Sequence, residues 1–187
     1  MTQLDAFGLE HKYCSFDSEV ALRDGCRIEG YASLFGHTDQ GGDVVARGAY
    51  SASLKRIAEA GRAVKLLWQH DPAQPIGIWD EVSEDDRGLY VKGRLLTEVS
   101  RGREAASLIE AGAIDGLSIG YRTVRASKDA DGRRVLNELD LWEVSLVTFP
   151  MLPEARIGAK ADARPDDLFR ELAEIFGAAR QTLAAAT

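Results

Sequence analysis

Two cysteines, Cys14 and Cys26, are all that the 187 residues contain. No CxxC pair stands near either one, so the chain offers no zinc-binding spacing. They could form one bridge, but two reduced thiols suit a cytosolic protein better. Long hydrophobic runs are missing as well. Nothing approaches the ~20 apolar residues that cross a bilayer, and Met1 to Leu9 lacks the basic-then-apolar layout of a signal peptide. The expectation is a cytoplasmic protein with no membrane partner. Positive charge is also in deficit, with 23 Lys and Arg against 30 Asp and Glu and a net charge of −7. That balance argues against recognition through phosphates, so no nucleic acid is expected. The acids Glu84, Asp85 and Asp86 lack EF-hand spacing and read as a solvated hairpin tip.

What is present suits a globular core: 45% hydrophobic and 28% charged residues, enough for one domain plus a tail. Residues 1–26 are polar and weakly patterned, an arm or edge strand. Arg27 to Phe35 alternates as a strand does. Ser51 to Ala60 places Leu54, Ile57 and Ala58 at helical spacing, with Gly61 as a stop. Val64 to His70 reads as a buried strand broken by Asp71-Pro72. Ile76 to Val82 and Leu89 to Leu96 form a hairpin. Ser100 to Gly112 is a helix in which Ser100 caps and Ala105, Leu108 and Ile109 share a face. Leu117 to Arg125 and Arg134 to Phe149 form a second hairpin about Asp129-Ala130-Asp131-Gly132. Residues 27–157 then make one domain, a mainly β (α+β) fold with flanking helices around a closed or half-closed antiparallel barrel. Residues 158–187 follow as a linker and an amphipathic helix from Asp166 to Leu183.

Three groups stand near element ends: His70 after a strand, Ser118 at a strand start and Glu143 within a strand. Seryl attack on an amide needs a base that takes the hydroxyl proton and returns it to the leaving amine. Imidazole titrates near neutrality and suits that task. A carboxylate behind it fixes the tautomer and stabilises the imidazolium. Gly116-Leu117-Ser118-Ile119-Gly120 matches the GxSxG pattern, yet a strand-like run follows it, so the strand-turn-helix elbow of α/β-hydrolases is rejected. The flanking glycines are expected to expose the serine. Each residue also has a plain structural reading. Ser118 is a turn hydroxyl, His70 donates to a nearby carbonyl, and Glu143, among Leu141, Trp142, Val144 and Leu146, pairs with an arginine such as Arg122. His37 sits in a Gly/Asp-rich loop as a solvated side chain, and His11 lies in the polar arm without a role.

Taken in order, several blocks resemble the prohead proteases of tailed phages, which are distantly similar to herpesvirus assemblins. They are Glu29 to Phe35, Asp43 with Gly48-Ala49-Tyr50, Leu67-Trp68-Gln69-His70-Asp71 with Pro75-Ile76-Gly77, Gly116 to Tyr121, and Leu141 to Pro150. The resemblance implies an assemblin-like antiparallel β-barrel with surrounding helices, a Ser/His centre, and no metal or other cofactor. It places the base at His70 and the nucleophile at Ser118. Assemblins use a second histidine as third member; here Glu143 takes that place, with Asp140 in reserve. After that strand, the backbone N–H groups of Met151 and Leu152 are expected to face an oxyanion. The implied substrates are scaffold protein or the scaffold-like arm of the major capsid protein, and the enzyme itself. The implied place is an immature prohead of a phage or gene transfer agent in the bacterial cytoplasm, with the protease a homodimer. The competing expectation is a non-enzymatic scaffold or internal capsid component that keeps the fold for assembly, its tail helix docking on a coat partner.

Overall fold

The structure is a computed structural model and describes residues 10–14, 24–39 and 41–148. Its strands are β1 (Glu10–Cys14), β2 (Arg27–Leu34), β3 (Asp43–Val45), β4 (Lys65–Trp68), β5 (Asp71–Glu84), β6 (Gly88–Leu95), β7 (Gly116–Lys128) and β8 (Arg134–Val147). Two helices, α1 (Ser51–Glu59) and α2 (Ser100–Glu110), interrupt them. The strands form one sheet in the order β1-β7-β8-β4-β5-β6-β2, with β3 joined to β8 off that path. The sheet curls until β2 lies against β1 and β7, though no ladder joins them. The fold is mainly β with few helices, as expected.

Its pairing corrects the expectation of an antiparallel barrel. β3 and β4 both run parallel to β8, while the other ladders are antiparallel. The reason lies in α1. It carries the chain from the Arg134 end of β8 to the Glu143 end, so β3 and β4 meet the same edge one after the other. Between them α1 and its lead-in satisfy the exposed β8 amides: Leu139 N donates to Ala49 O at 2.9 Å, and Leu141 N to Ser53 Oγ at 2.9 Å. A buried strand edge left unpaired would cost a hydrogen bond per residue. Ser53 is fully buried for that purpose, whereas Ala58, expected on the inner face, is exposed.

The inner face and the helices enclose a core that includes Ile28, Leu66, Ile76, Leu89, Ile109, Ile119 and Leu146. Several local readings need revision. Val99 rather than Ser100 occupies the cap position of α2, and no side chain caps it. Asp71-Pro72 does not end a strand but opens β5, where a proline is tolerated because its missing N–H falls at the first ladder positions. The acids of the β5–β6 turn are engaged: Glu84 accepts from Gly48 N at 2.6 Å and Ser51 Oγ at 2.5 Å, and so holds the start of α1. Tyr31 donates to Asp85, and Asp86 pairs with Arg47. Cys26 is a half-buried thiol outside any disulfide. No helix among the described residues is long and apolar enough to cross a membrane.

Candidate active site

His70, Glu143 and Ser145 gather where β8 meets the β4–β5 turn, and Ser118 lies opposite Ser145 on β7. β8 supplies Glu143 and Ser145, two residues apart and therefore on one face. In the antiparallel β7–β8 ladder Ser118 is the partner of Ser145 and Gly120 the partner of Glu143. The ladder then skips a residue, since Tyr121 pairs with Leu141 and leaves Trp142 as a bulge. That bulge aims the carboxylate. With strict alternation Glu143 would share the core face of Leu141; the extra residue turns Trp142 and Glu143 outward together, and Val144 returns to the core.

Gly120 makes the next contribution. A Cβ built there would overlap Glu143 Oε1 and lie 2.8 Å from Cδ and 2.9 Å from Cγ. The carboxylate occupies the space that any other residue at 120 would fill. This corrects the reading of the glycines as devices that expose the serine, because Ser118 is fully buried.

His70 arrives from the other side. Trp68 pairs with Asp71, so Gln69 and His70 form a two-residue hairpin loop with φ of 51° and 62°. Two positive φ values in succession usually call for Asn-Gly. Here bulkier residues accept a left-handed backbone, a strain of about 1 kcal/mol or more per residue. The loop is fastened to β8: Gln69 N donates to Leu146 O at 2.9 Å, Gln69 Nε2 to Thr148 Oγ1 at 2.6 Å, and His70 N to Ser145 Oγ at 3.1 Å. Beyond it, Asp71 accepts from Ala73 N and Gln74 Nε2, and the Gln74 bond holds its carboxyl below the usual range.

The imidazole then meets the carboxylate. His70 Nδ1 stands 2.6 Å from Glu143 Oε1, and Ser145 Oγ donates to Glu143 Oε2 at 2.5 Å. Both ring and carboxylate are nearly buried, with side chains 8% and 5% exposed. This is the arrangement in which a carboxylate fixes an imidazole with Nδ1–H toward it and leaves Nε2 to exchange a proton. Ser145 was not anticipated as a member. Its signal was present in the Glu143-x-Ser145 spacing, which puts hydroxyl and carboxylate on one face of a strand.

The other candidates fall elsewhere. Asp140 contacts Ser53, Arg56 and Trp142, not His70. Arg122, weighed as a partner of Glu143, stacks over the Trp142 ring at 4.7 Å. His37 is exposed. Met151 and Leu152, and the tail from Gly158 onward, lie outside the described residues. Among the described residues no group of three His, Cys, Asp or Glu side chains could hold a metal ion.

The chain belongs to the caudovirus prohead serine protease family, whose model matches residues 16–165. The prohead protease of Enterobacteria phage HK97 is 34% identical over 135 residues, or 71% of this chain and 59% of that protein. The chain therefore spans about 59% of the length of that curated relative. In three dimensions it is similar to the bacteriophage T4 capsid assembly protease, with a TM-score of 0.60 and 19% identity over 76% of this chain and 98% of that one. That likeness concerns the fold.

Proposed function

We propose that this chain is a serine endopeptidase that cleaves scaffold protein, or the scaffold-like arm of the major capsid protein, during prohead maturation in the bacterial host cytoplasm. Ser118 Oγ attacks the scissile carbonyl, and His70 Nε2 takes its proton and returns it to the leaving amine. Glu143 holds the ring and stabilises the imidazolium. The observation that carries this reading is the buried Glu143 carboxylate, bonded at once to His70 Nδ1 and Ser145 Oγ on the ladder that carries Ser118. A non-catalytic scaffold has no use for a carboxylate buried against an imidazole on a strained turn. The same enzyme is proposed to cut itself in the 157–165 linker, releasing the tail, and to act as a homodimer.

The test is co-expression with the neighbouring capsid gene, with cleavage products read by intact mass. Ser118→Ala is expected to abolish processing while leaving the fold intact, and His70→Ala to do the same with no further loss in the double variant. Full-rate cleavage by Ser118→Ala would refute the assignment. Glu143→Gln should slow cleavage by about 10³–10⁴-fold, since the amide cannot support an imidazolium. Asp140→Asn should change the rate by less than about 3-fold, because its carboxyl serves α1.

A further inference from the structure

Beside the site lies a pocket of about 450 Å³ whose lining includes Ile57, Arg62, Lys65, Asp140, Leu141 and Trp142. It is within the size range of ligand sites, ~300–1,000 Å³. Its place follows from register: Lys65 is the parallel ladder partner of Glu143, and Trp142 is the bulged residue next to it. Trp142 is three positions along β8 from Ser145, the partner of Ser118, which at ~3.4 Å per residue is about 10 Å. An extended peptide covers that distance in about three residues.

The walls are apolar and one of them is pre-set. The Trp142 indole is 41% exposed yet held twice, by its Nε1 donating to Asp140 Oδ2 at 3.0 Å and by Arg122 over its face at 4.7 Å. An exposed indole fixed in this way presents contact area at little entropic cost. The rim is basic. Arg62 and Lys65 are exposed and, among the described residues, neither belongs to an ion pair. The one acid of the lining, Asp140, shares Arg56 with Glu138, at 3.3 and 3.6 Å, so one excess acid stands against the two cations. Two uncommitted cations around an apolar floor, on a chain with a net charge of −7, form a local field that favours an anion.

We infer that this pocket is a substrate subsite that takes an acidic side chain about three residues from the scissile bond, its methylenes against Trp142 and Ile57 and its carboxylate between Arg62 and Lys65. The placement relative to the cut rests on the catalytic reading above; the preference for an acid does not. A library of proteome-derived peptides digested by the wild-type chain should show Asp or Glu enriched at one position about three residues from the cut. The enrichment should be about fivefold, the size of a partly screened ion pair, and vanish in the Arg62→Gln/Lys65→Gln double variant while peptides without that acid are cut as before. A binding measurement separates the two readings. Ser118→Ala should bind a fluorescein-labelled nonapeptide with a central Leu-Glu pair about fivefold more tightly than its Leu-Gln twin, and the added double substitution should erase the difference. Equal binding of the twins, or an acid preference that survives the double substitution, overturns the subsite. Unimpaired cleavage by Ser118→Ala would instead overturn the catalytic assignment and leave the twin peptides to decide the pocket.

Discussion

Gly120 matters for the atom it lacks, because the space beside its Cα holds the Glu143 carboxyl. Gly120→Ala is therefore expected to destabilise the protein by about 1–3 kcal/mol through overpacking and to abolish cleavage, since the least-resisted movement takes Glu143 away from His70. Calorimetry and the capsid digestion read the two effects; a variant of normal stability and normal rate would show that the carboxylate has another place to rest. Ser145 is a positioning residue, bonded to Glu143 Oε2 and to His70 N. Ser145→Ala should lower kcat by about tenfold with KM unchanged, and Ser145→Thr, which keeps the hydroxyl, should restore most of it. At this scale the candidates His70 and Glu143, which the structure brings together, stood out in their local blocks, but the duty of the glycine did not. GxSxG looks the same whether its last residue bares a serine or clears room for a carboxylate two strands' worth of sequence away.

At the scale of elements, the β4–β5 loop places His70 by holding two non-glycine residues at positive φ. Gln69 tolerates this because its side chain and amide are bonded to Thr148 and Leu146. Gln69→Gly relieves the backbone while losing that side-chain bond, so its stability should stay within about 1 kcal/mol of the wild type. Gln69→Val, β-branched at φ 51°, has no such relief. It should fall at least about 1 kcal/mol below the glycine variant by chemical denaturation. If valine proves as stable as glycine, the loop is not strained and His70 is held by its neighbours alone. The hairpins β5–β6 and β7–β8 were legible because alternation and turn residues are local signals. The positive-φ loop and the Trp142 bulge were not, since Trp68-Gln69-His70-Asp71 carries no Asn or Gly, and only the partner strand shows where a bulge falls. The parallel placing of β3 and β4 was equally hidden, because α1 rather than a tight turn brings β4 to β8.

The molecule as a whole is tied across its sheet by one charged cluster remote in sequence. Arg134 on β8 pairs with Glu10 on β1 at 2.8 Å and with Asp43 on β3 at 3.0 Å, and it donates to Thr123 on β7 at 2.8 Å. Glu10 also accepts from the Thr123 amide and hydroxyl. These bonds fasten the edge strand β1 along β7, where Tyr13 is the ladder partner of Ser118. Burial pushes the Glu10 carboxyl up, but the Arg134 and Thr123 bonds outweigh it and hold the group below its ordinary value. A lowered folded-state pKa gives stability that is complete above the unfolded value of about 4.3 and is lost as pH falls through the folded one. Its size is about 1 kcal/mol, because Arg134 remains 36% exposed and is screened. Glu10→Gln should accordingly melt below the wild type at neutral pH, with a gap that narrows as pH falls through the lowered folded-state value and the wild-type carboxyl takes up its proton. The same substitution should speed amide hydrogen exchange along the outer edge of β7 at neutral pH, while β5 and β6, on the far side of the sheet, keep their protection. A gap in melting temperature that persists undiminished at acid pH would assign the loss to side-chain packing instead of charge. Unchanged exchange in β7 would mean that β1 is held by its backbone ladder alone and that the cluster serves β3 and β8.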